Sequence, residues 1–437
     1  MKVFKYLFIS SIMFAVTSCG NDWLDLAPST QVDTETSINV LSDIDGIYST
    51  MQSSDAYSGR LVYYGDVTGD DMQAVSSTKR TGNYYRFNFT KDNGPSSHWS
   101  YLYSIIQNCN LILMNVDKLS IDEDETEYKN DLKGQALAIR GMALFDLTRI
   151  FGYPYLKDNG ASLGVPIVKE LSTIDSKPAR NTVAECYTEI ISDLKNSTEL
   201  LSGDFNKGKV NRWAAMTLLS RVYLYKGEYN EALTMAENAI KGAEKEGYAL
   251  WTNEEYPTAW GNDASASNPG KILFEIVNLT TDSPGKESMG YLNSYNGYDD
   301  MCITCSFYQL LKKDPKDVRL KILSFDKKYY AYVNKYQPQQ GENITDANIP
   351  LIRLSEAYLN AAEAAVQTGD NAKAVKYLNS IVQRANPENS VEGKTLTLEN
   401  VLDERRKELV AEGHRMYDVI RNGMTVKRID VKDSDIN

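Results

Sequence analysis

Few side chains in this sequence can do covalent or metal chemistry. There are two histidines, His98 and His414. A multi-histidine metal centre is thereby excluded, and a Ser-His or Cys-His nucleophile would have to use one of the two. No phosphate-binding loop, dinucleotide fingerprint, H-E-x-x-H or G-x-S-x-G occurs. Cys302-Ile303-Thr304-Cys305 is a lone C-x-x-C. In an exported chain this predicts a local disulfide or two buried thiols rather than a redox centre, and zinc would need two more ligands. Cys109 and Cys186 lie in helical patterns and are expected in the core. Asp66, Asp70 and Asp71 are close together, but not at the spacing of an EF-hand loop, so turn and cap roles are expected. No catalytic residue, metal or cofactor is predicted. The sequence does supply flat aromatic rings beside polar groups, the equipment for sugar faces and hydroxyls. One such region is 63–86, with Asp66, Asp71, Asn83, Tyr84, Tyr85 and Arg86. The other is 251–300, with Trp251, Tyr256, Trp260, Asn262, Tyr291, Tyr295, Tyr298 and Asp299. The expectation is that both share one cleft, with Trp260, Tyr295, Asp71 and Tyr84 foremost.

These regions interrupt a helical body. Of 437 residues, 42% are hydrophobic and 24% charged, ample for a large core. The net charge of −12 argues against nucleic acid as a partner. Apolar residues recur at helical spacing over 36–52, 99–114, 134–151 and 182–201. Segments 213–243 and 353–385 each read helix, Gly turn, helix, with Ala at close-packing points. That is the tetratricopeptide form. Residues 53–98 read as irregular, and 272–277 as a strand. From Leu402 to Gly423 a charged pattern predicts one long helix. Its residues Arg405, Glu408, Glu412 and Arg415 are expected to form structural ion pairs, and Gly413 to admit a close neighbour.

The N-terminus carries Lys2 and Lys5, then an apolar run to Val16 too short to span a bilayer, then Val16-Thr17-Ser18-Cys19. This predicts a signal peptide over 1–18 and lipid attachment at Cys19. Several stretches then resemble the SusD/RagB family. They are the mature start Asn21 to Pro28, the W-x-x-L-Y-x-x-I-x-x-x-N form from Trp99 to Asn110, and R-G-M-A-L-F-D-L-T-R-I-F-G-Y-P-Y-L from Arg140 to Leu156. The E-R-R-K-E-L, E-G-H-R and D-x-x-R-x-G run from Glu404 to Gly423 is the fourth. The resemblance extends from Cys19 to Gly423.

What the resemblance implies is a mainly α fold of tetratricopeptide-like helix pairs with a large irregular insert. Its parts would be 19–245, a ligand-binding insert 246–350, and a C-terminal part 351–437. Family members continue into a Pro- and Asn-containing tail, whereas this chain ends after a polar, acidic run as a short or truncated form. The implied protein is a lipid-anchored lipoprotein on the outer-membrane surface. It would not be an enzyme; it would capture oligosaccharide for a SusC-like TonB-dependent transporter. An oligopeptide is the alternative cargo. A surface glycoside hydrolase and a pure helical-repeat scaffold are the competing classes; the first requires a carboxylate pair in a cleft.

Overall fold

A computed structural model describes residues 40–90, 94–118, 126–173, 175–204, 208–261, 272–327, 330–338 and 343–428. The signal segment, Cys19, the mature start, Asn262 and the last residues lie outside them. Most of the described chain is helical: α1 (Val40–Met51), α2 (Arg60–Val67), α3 (Ser96–Asn115), α4 (Thr126–Phe151), α5 (Val183–Leu200), α6 (Arg212–Lys226), α7 (Tyr229–Lys245), α8 (Cys305–Lys312), α9 (Leu354–Thr368), α10 (Asn371–Ala385), α11 (Leu398–Leu409) and α12 (Arg415–Arg421).

The helix pairs follow from local chemistry. Thr182 and Glu185 form a reciprocal capping box that starts α5. Between α6 and α7 the chain reverses at Gly227 (φ +83°), and between α9 and α10 at Gly369 (φ +79°). These left-handed positions favour glycine. Close packing inside the pairs uses small residues. A Cβ at Gly141 in α4 would sit 3.0 Å from Leu194 of α5. A buried ion pair, Arg221 to Glu356 at 2.6 Å, ties α6 to α9. The expected mainly α, helix-pair architecture is what the chain adopts.

Two local expectations are corrected. Region 53–98 is not wholly irregular, because α2 and a single-turn helix at Gly82–Tyr85 lie within it. The run Leu61-Val62-Tyr63-Tyr64-Gly65-Asp66-Val67 hid the first, since all seven are buried and no polar face marks a helical period. The C-terminal helix is not continuous. Ala411 (φ +65°) and Gly413 (φ +77°) break it after Leu409, and Glu412 projects from the turn. Close approach does occur there, from both sides: a Cβ on Gly65 of α2 would lie 2.2 Å from the Gly413 carbonyl oxygen.

Three short antiparallel ladders complete the fold. β1 (Met72–Ala74) pairs with β3 (Met301–Ile303), β2 (Ile272–Ile276) with β6 (Ile349–Arg353), and β4 (Leu323–Phe325) with β5 (Ala331–Val333). The first ladder matches Met72 to Ile303, Gln73 to Cys302 and Ala74 to Met301. Cys302 is buried, Cys305 is exposed, and both are free thiols, so no disulfide closes the C-x-x-C. Cys109 and Cys186 are free and buried. Among the described residues no helix is long and apolar enough to cross a membrane.

Both histidines are buried. Burial lowers His98 to about 4, against a hydrogen bond from its Nδ1–H to the Asp55 carbonyl oxygen that favours its charged form. Burial, reinforced by Arg221 and Arg405, holds His414 well below its ordinary value. Both shifts are downward, so the contribution is complete above the unfolded value near 6.5 and is lost as pH falls toward 4. Between pH 7 and pH 5, urea unfolding of His98→Gln, if that variant folds, should lose less unfolding free energy than the unaltered chain, while buried Asp66, shifted upward, acts in the opposite sense in both proteins. The same pH difference in both proteins would contradict the assignment.

Candidate functional site

The β1–β3 ladder brings the two candidate regions together, and the loops leaving it build a surface. On one side, residues 76–81 form tight turns closed by Lys79 N–H to Ser76 O and Gly82 N–H to Lys79 O. On the other, residues 291–300 fold back on themselves. Tyr298 N–H donates to Tyr291 O at 2.9 Å, and a Cβ on Gly297 would sit 2.0 Å from that oxygen. Asp299 takes a left-handed φ of +55°. That strain is held because its carboxylate accepts the Tyr332 hydroxyl and faces Lys79 at 3.8 Å.

Arg80 fastens the two sides. Its backbone N–H donates to Asp300 Oδ1 at 2.9 Å. Its guanidinium pairs with Glu287 at 2.9 Å and with buried Asp300 at 3.4 Å. The same guanidinium lies 3.9 Å from the centre of the Tyr298 ring. Tyr291 meets Tyr298 edge to face at 4.9 Å, and Tyr295 leans on Tyr332 at 5.9 Å. Tyr291 and Tyr298 are partly exposed and Tyr295 is 47% exposed. The result is a set of pinned aromatic rings open to solvent, edged by Lys79, Arg80, Glu287 and Asp299. Such a surface can stack flat apolar faces and hydrogen-bond hydroxyls, with little side-chain freedom left to lose.

The other predicted residues lie elsewhere. Trp260 is only 5% exposed, so the expectation that it faces a ligand is corrected. It packs on Trp251 at 4.7 Å and Tyr256 at 5.5 Å, with Lys335 at 4.9 Å and Arg353 at 5.1 Å over its ring. Asp66 and Asp71 are also buried and do not reach the surface. Asp66 accepts the Gly413 N–H at 2.9 Å, and burial pushes its carboxyl well above the ordinary range. Asp71 pairs with Arg406 at 2.6 Å; burial raises it and Arg406 offsets part of the rise. Asp70 is bonded to Arg415, so the aspartates are structural partners of the C-terminal helices. Tyr84 is buried between Tyr63 and Tyr64, at 5.6 and 5.7 Å. Tyr85 is partly buried under the Arg428 guanidinium at 4.0 Å. Lys79 and Arg80 were absent from the sequence expectation; the signal available for them was a Lys-Arg pair between two turn-rich stretches.

The aromatic pair at 251 and 260 caps a buried charge network. Glu408 accepts from Arg353 at 2.9 Å, from Arg319 at 3.4 Å and from Arg384. Burial alone would raise the Glu408 carboxyl; the three guanidinium groups outweigh it and hold it well below the ordinary range. Glu412 pairs with Arg353 at 2.7 Å and with Lys335, whose ammonium burial lowers to about 8. Arg405 joins Asp418 at 3.1 Å and Asn360 at 2.8 Å. Among the described residues no group of three or more His, Cys, Asp or Glu is arranged to hold a metal ion.

Comparison with known proteins adds the following. Residues 22–224 match a family described as starch-binding and associating with the outer membrane, and residues 323–435 match the SusD family. The chain is 98% identical to a solved structure described as a putative sugar binding protein from Bacteroides vulgatus. That match has TM-score 0.89 and covers 92% of this chain and 91% of the other. A SusD superfamily protein from the same species is 37% identical, with TM-score 0.84 over 90% of this chain and 89% of its own. A SusD-like protein of Bacteroides ovatus is 24% identical over 96% of this chain and 83% of its own length.

Proposed function

This chain belongs to the SusD family, whose description is starch-binding and associated with the outer membrane, and from that premise we propose that it captures an oligosaccharide and passes it to a SusC-like TonB-dependent transporter. The binding surface is formed by Tyr291, Tyr295 and Tyr298 with Lys79 and Arg80. The observation that carries this reading is the pinned, solvent-open tyrosine set with a guanidinium at 3.9 Å from one ring. The sugar-binding description of the 98% identical structure favours the same cargo. A purely structural scaffold has no need of exposed rings braced in this way.

The protein acts by binding, without catalysis. A glycosidase needs one carboxyl group free to donate a proton and another free to attack or to activate water. The carboxylates at this surface are already engaged: Glu287 and Asp300 by Arg80, and Asp299 by Tyr332 and Lys79. Electrophoresis through native gels containing starch, laminarin or xylan tests the reading. One of these polysaccharides should retard the protein, and Arg80→Ala should migrate closer to its unretarded position. Equal retardation of both proteins would remove this surface from the binding role.

Cys19 is the proposed lipid anchor, motivated by Val16-Thr17-Ser18-Cys19. Several acyl chains hold a protein on a bilayer firmly, at roughly 0.8 kcal/mol per buried CH₂. Cys19→Ala should therefore leave the membrane fraction under a wash that strips peripheral proteins. Retention equal to the unaltered chain would count against the anchor.

A further inference from the structure

A second groove lies along α3, apart from the tyrosine surface. Its floor is α3 and its wall is formed by Pro166, Val168, Ser172 and Pro178, with a volume of about 480 Å³. Trp99 and Tyr103, one helical turn apart, present their rings 5.1 Å from each other. Both are fixed from behind. Trp99 stands edge to face on Phe151 at 5.0 Å, and the Tyr103 hydroxyl donates to the Pro166 carbonyl at 2.7 Å. The wall is pinned as well: Gln107 donates to the Ser172 hydroxyl at 3.0 Å and accepts the Ser172 N–H at 2.9 Å.

The lining chemistry selects a ligand class. Around the two rings stand hydroxyls and amides, among them Ser100, Ser104 and Asn108, and among the described residues no Asp, Glu, Lys or Arg lines the groove. In a chain with 24% charged residues that absence is a selective feature. An acidic sugar or a charged peptide would find no counter-ion there, and an alkyl chain would leave the hydroxyls and amides facing apolar surface. A neutral pyranose satisfies both halves, with a C–H face for the rings and hydroxyls for the polar rim. We infer that the α3 groove is a second contact site for neutral saccharide, stacking a sugar on Trp99 and Tyr103. This inference rests on the carbohydrate reading given above.

Tryptophan emission of the full chain provides a local readout. Trp251 and Trp260 are each 5% exposed and Trp213 is half-buried, so the part of the change lost in Trp99→Phe is the part that reports the groove. Neutral oligosaccharides cut from amylose, laminarin and xylan are the probes, with a proline-rich peptide as control. A saccharide should change the emission of the unaltered chain. Trp99→Phe keeps a stacking ring and should lose the change, and Ser104→Arg, an exposed position lining the groove, should lose it too. Arg80→Ala and Tyr295→Ala, on the other surface, should retain it. If sugar binds by gel retardation yet no emission change depends on Trp99, the groove is not a saccharide site. Loss of the change in Arg80→Ala or Tyr295→Ala would also overturn the inference, because the signal would then report the tyrosine surface. A response to the peptide alone overturns the saccharide class. If no polysaccharide retards the protein at all, the carbohydrate reading fails and this inference fails with it.

Discussion

Glu408→Gln is expected to lower the unfolding free energy by about 3–5 kcal/mol, the scale for removing one partner of a buried ion pair. Glu408 is fully buried and answers Arg353, Arg319 and Arg384 at once. Glutamine keeps the shape and removes the charge, leaving three guanidinium groups with fewer counter-charges. Glu404 still pairs with Arg319 and Glu412 with Arg353, whereas Arg384 has no other carboxylate among its described ion pairs. Urea unfolding should show the loss as a lower midpoint with an unchanged slope. The variant that folds should still bind sugar, because the network lies beneath Trp251 and Trp260 and not at the tyrosine surface. An unchanged midpoint, or normal stability with lost binding, would contradict the structural role given to the Glu404–Gly423 segment.

Tyr298→Ala and Tyr295→Ala should each weaken a cognate oligosaccharide roughly 5- to 150-fold. That range follows if a ring stacked on a sugar contributes on the order of 1–3 kcal/mol, the figure for base–aromatic stacking. Tyr298 should show the larger loss, since its removal also takes away the ring on which the Arg80 guanidinium lies. Tyr295 is the cleaner probe of contact, being 47% exposed. Titration calorimetry on both variants, with thermal unfolding as the control for folding, distinguishes contact from collapse. Full affinity in both would remove the rings from the site.

The helix pairs were legible because their signals are local. Gly227 and Gly369 mark the reversals, and small residues such as Gly141 mark close packing. The structural character of Arg405 and Glu408 also followed from charges alternating with apolar positions along one segment. What misled was aromatic content taken without its partners. Trp260 sits in a turn-rich stretch like a ligand platform, yet its faces are claimed by Lys335 and Arg353, 75 and 93 residues further along the chain. Asp66 and Asp71 likewise look free until Gly413 and Arg406 arrive from the far end of the sequence. Tyr84 was misplaced because α2, buried on nearly every side, shows no period and gave no warning that Tyr63 and Tyr64 would enclose it. Tyr291, Tyr295 and Tyr298 stayed at the surface because the loop carrying them is braced by its own backbone and by Arg80. Tyr291 and Tyr298 partner each other within one loop and Tyr295 leans on Tyr332 further along the chain, within reach of an expectation about the region though not about its anchoring cation.

The most direct measurement of the central claim is a crystal structure of the protein with an oligosaccharide that retards it in native gels. The account predicts a sugar ring stacked on at least one of Tyr291, Tyr295 and Tyr298, with a hydroxyl within hydrogen-bond distance of Lys79, Arg80 or Asp299. Sugar bound elsewhere, with all three tyrosine rings uncovered, would contradict it.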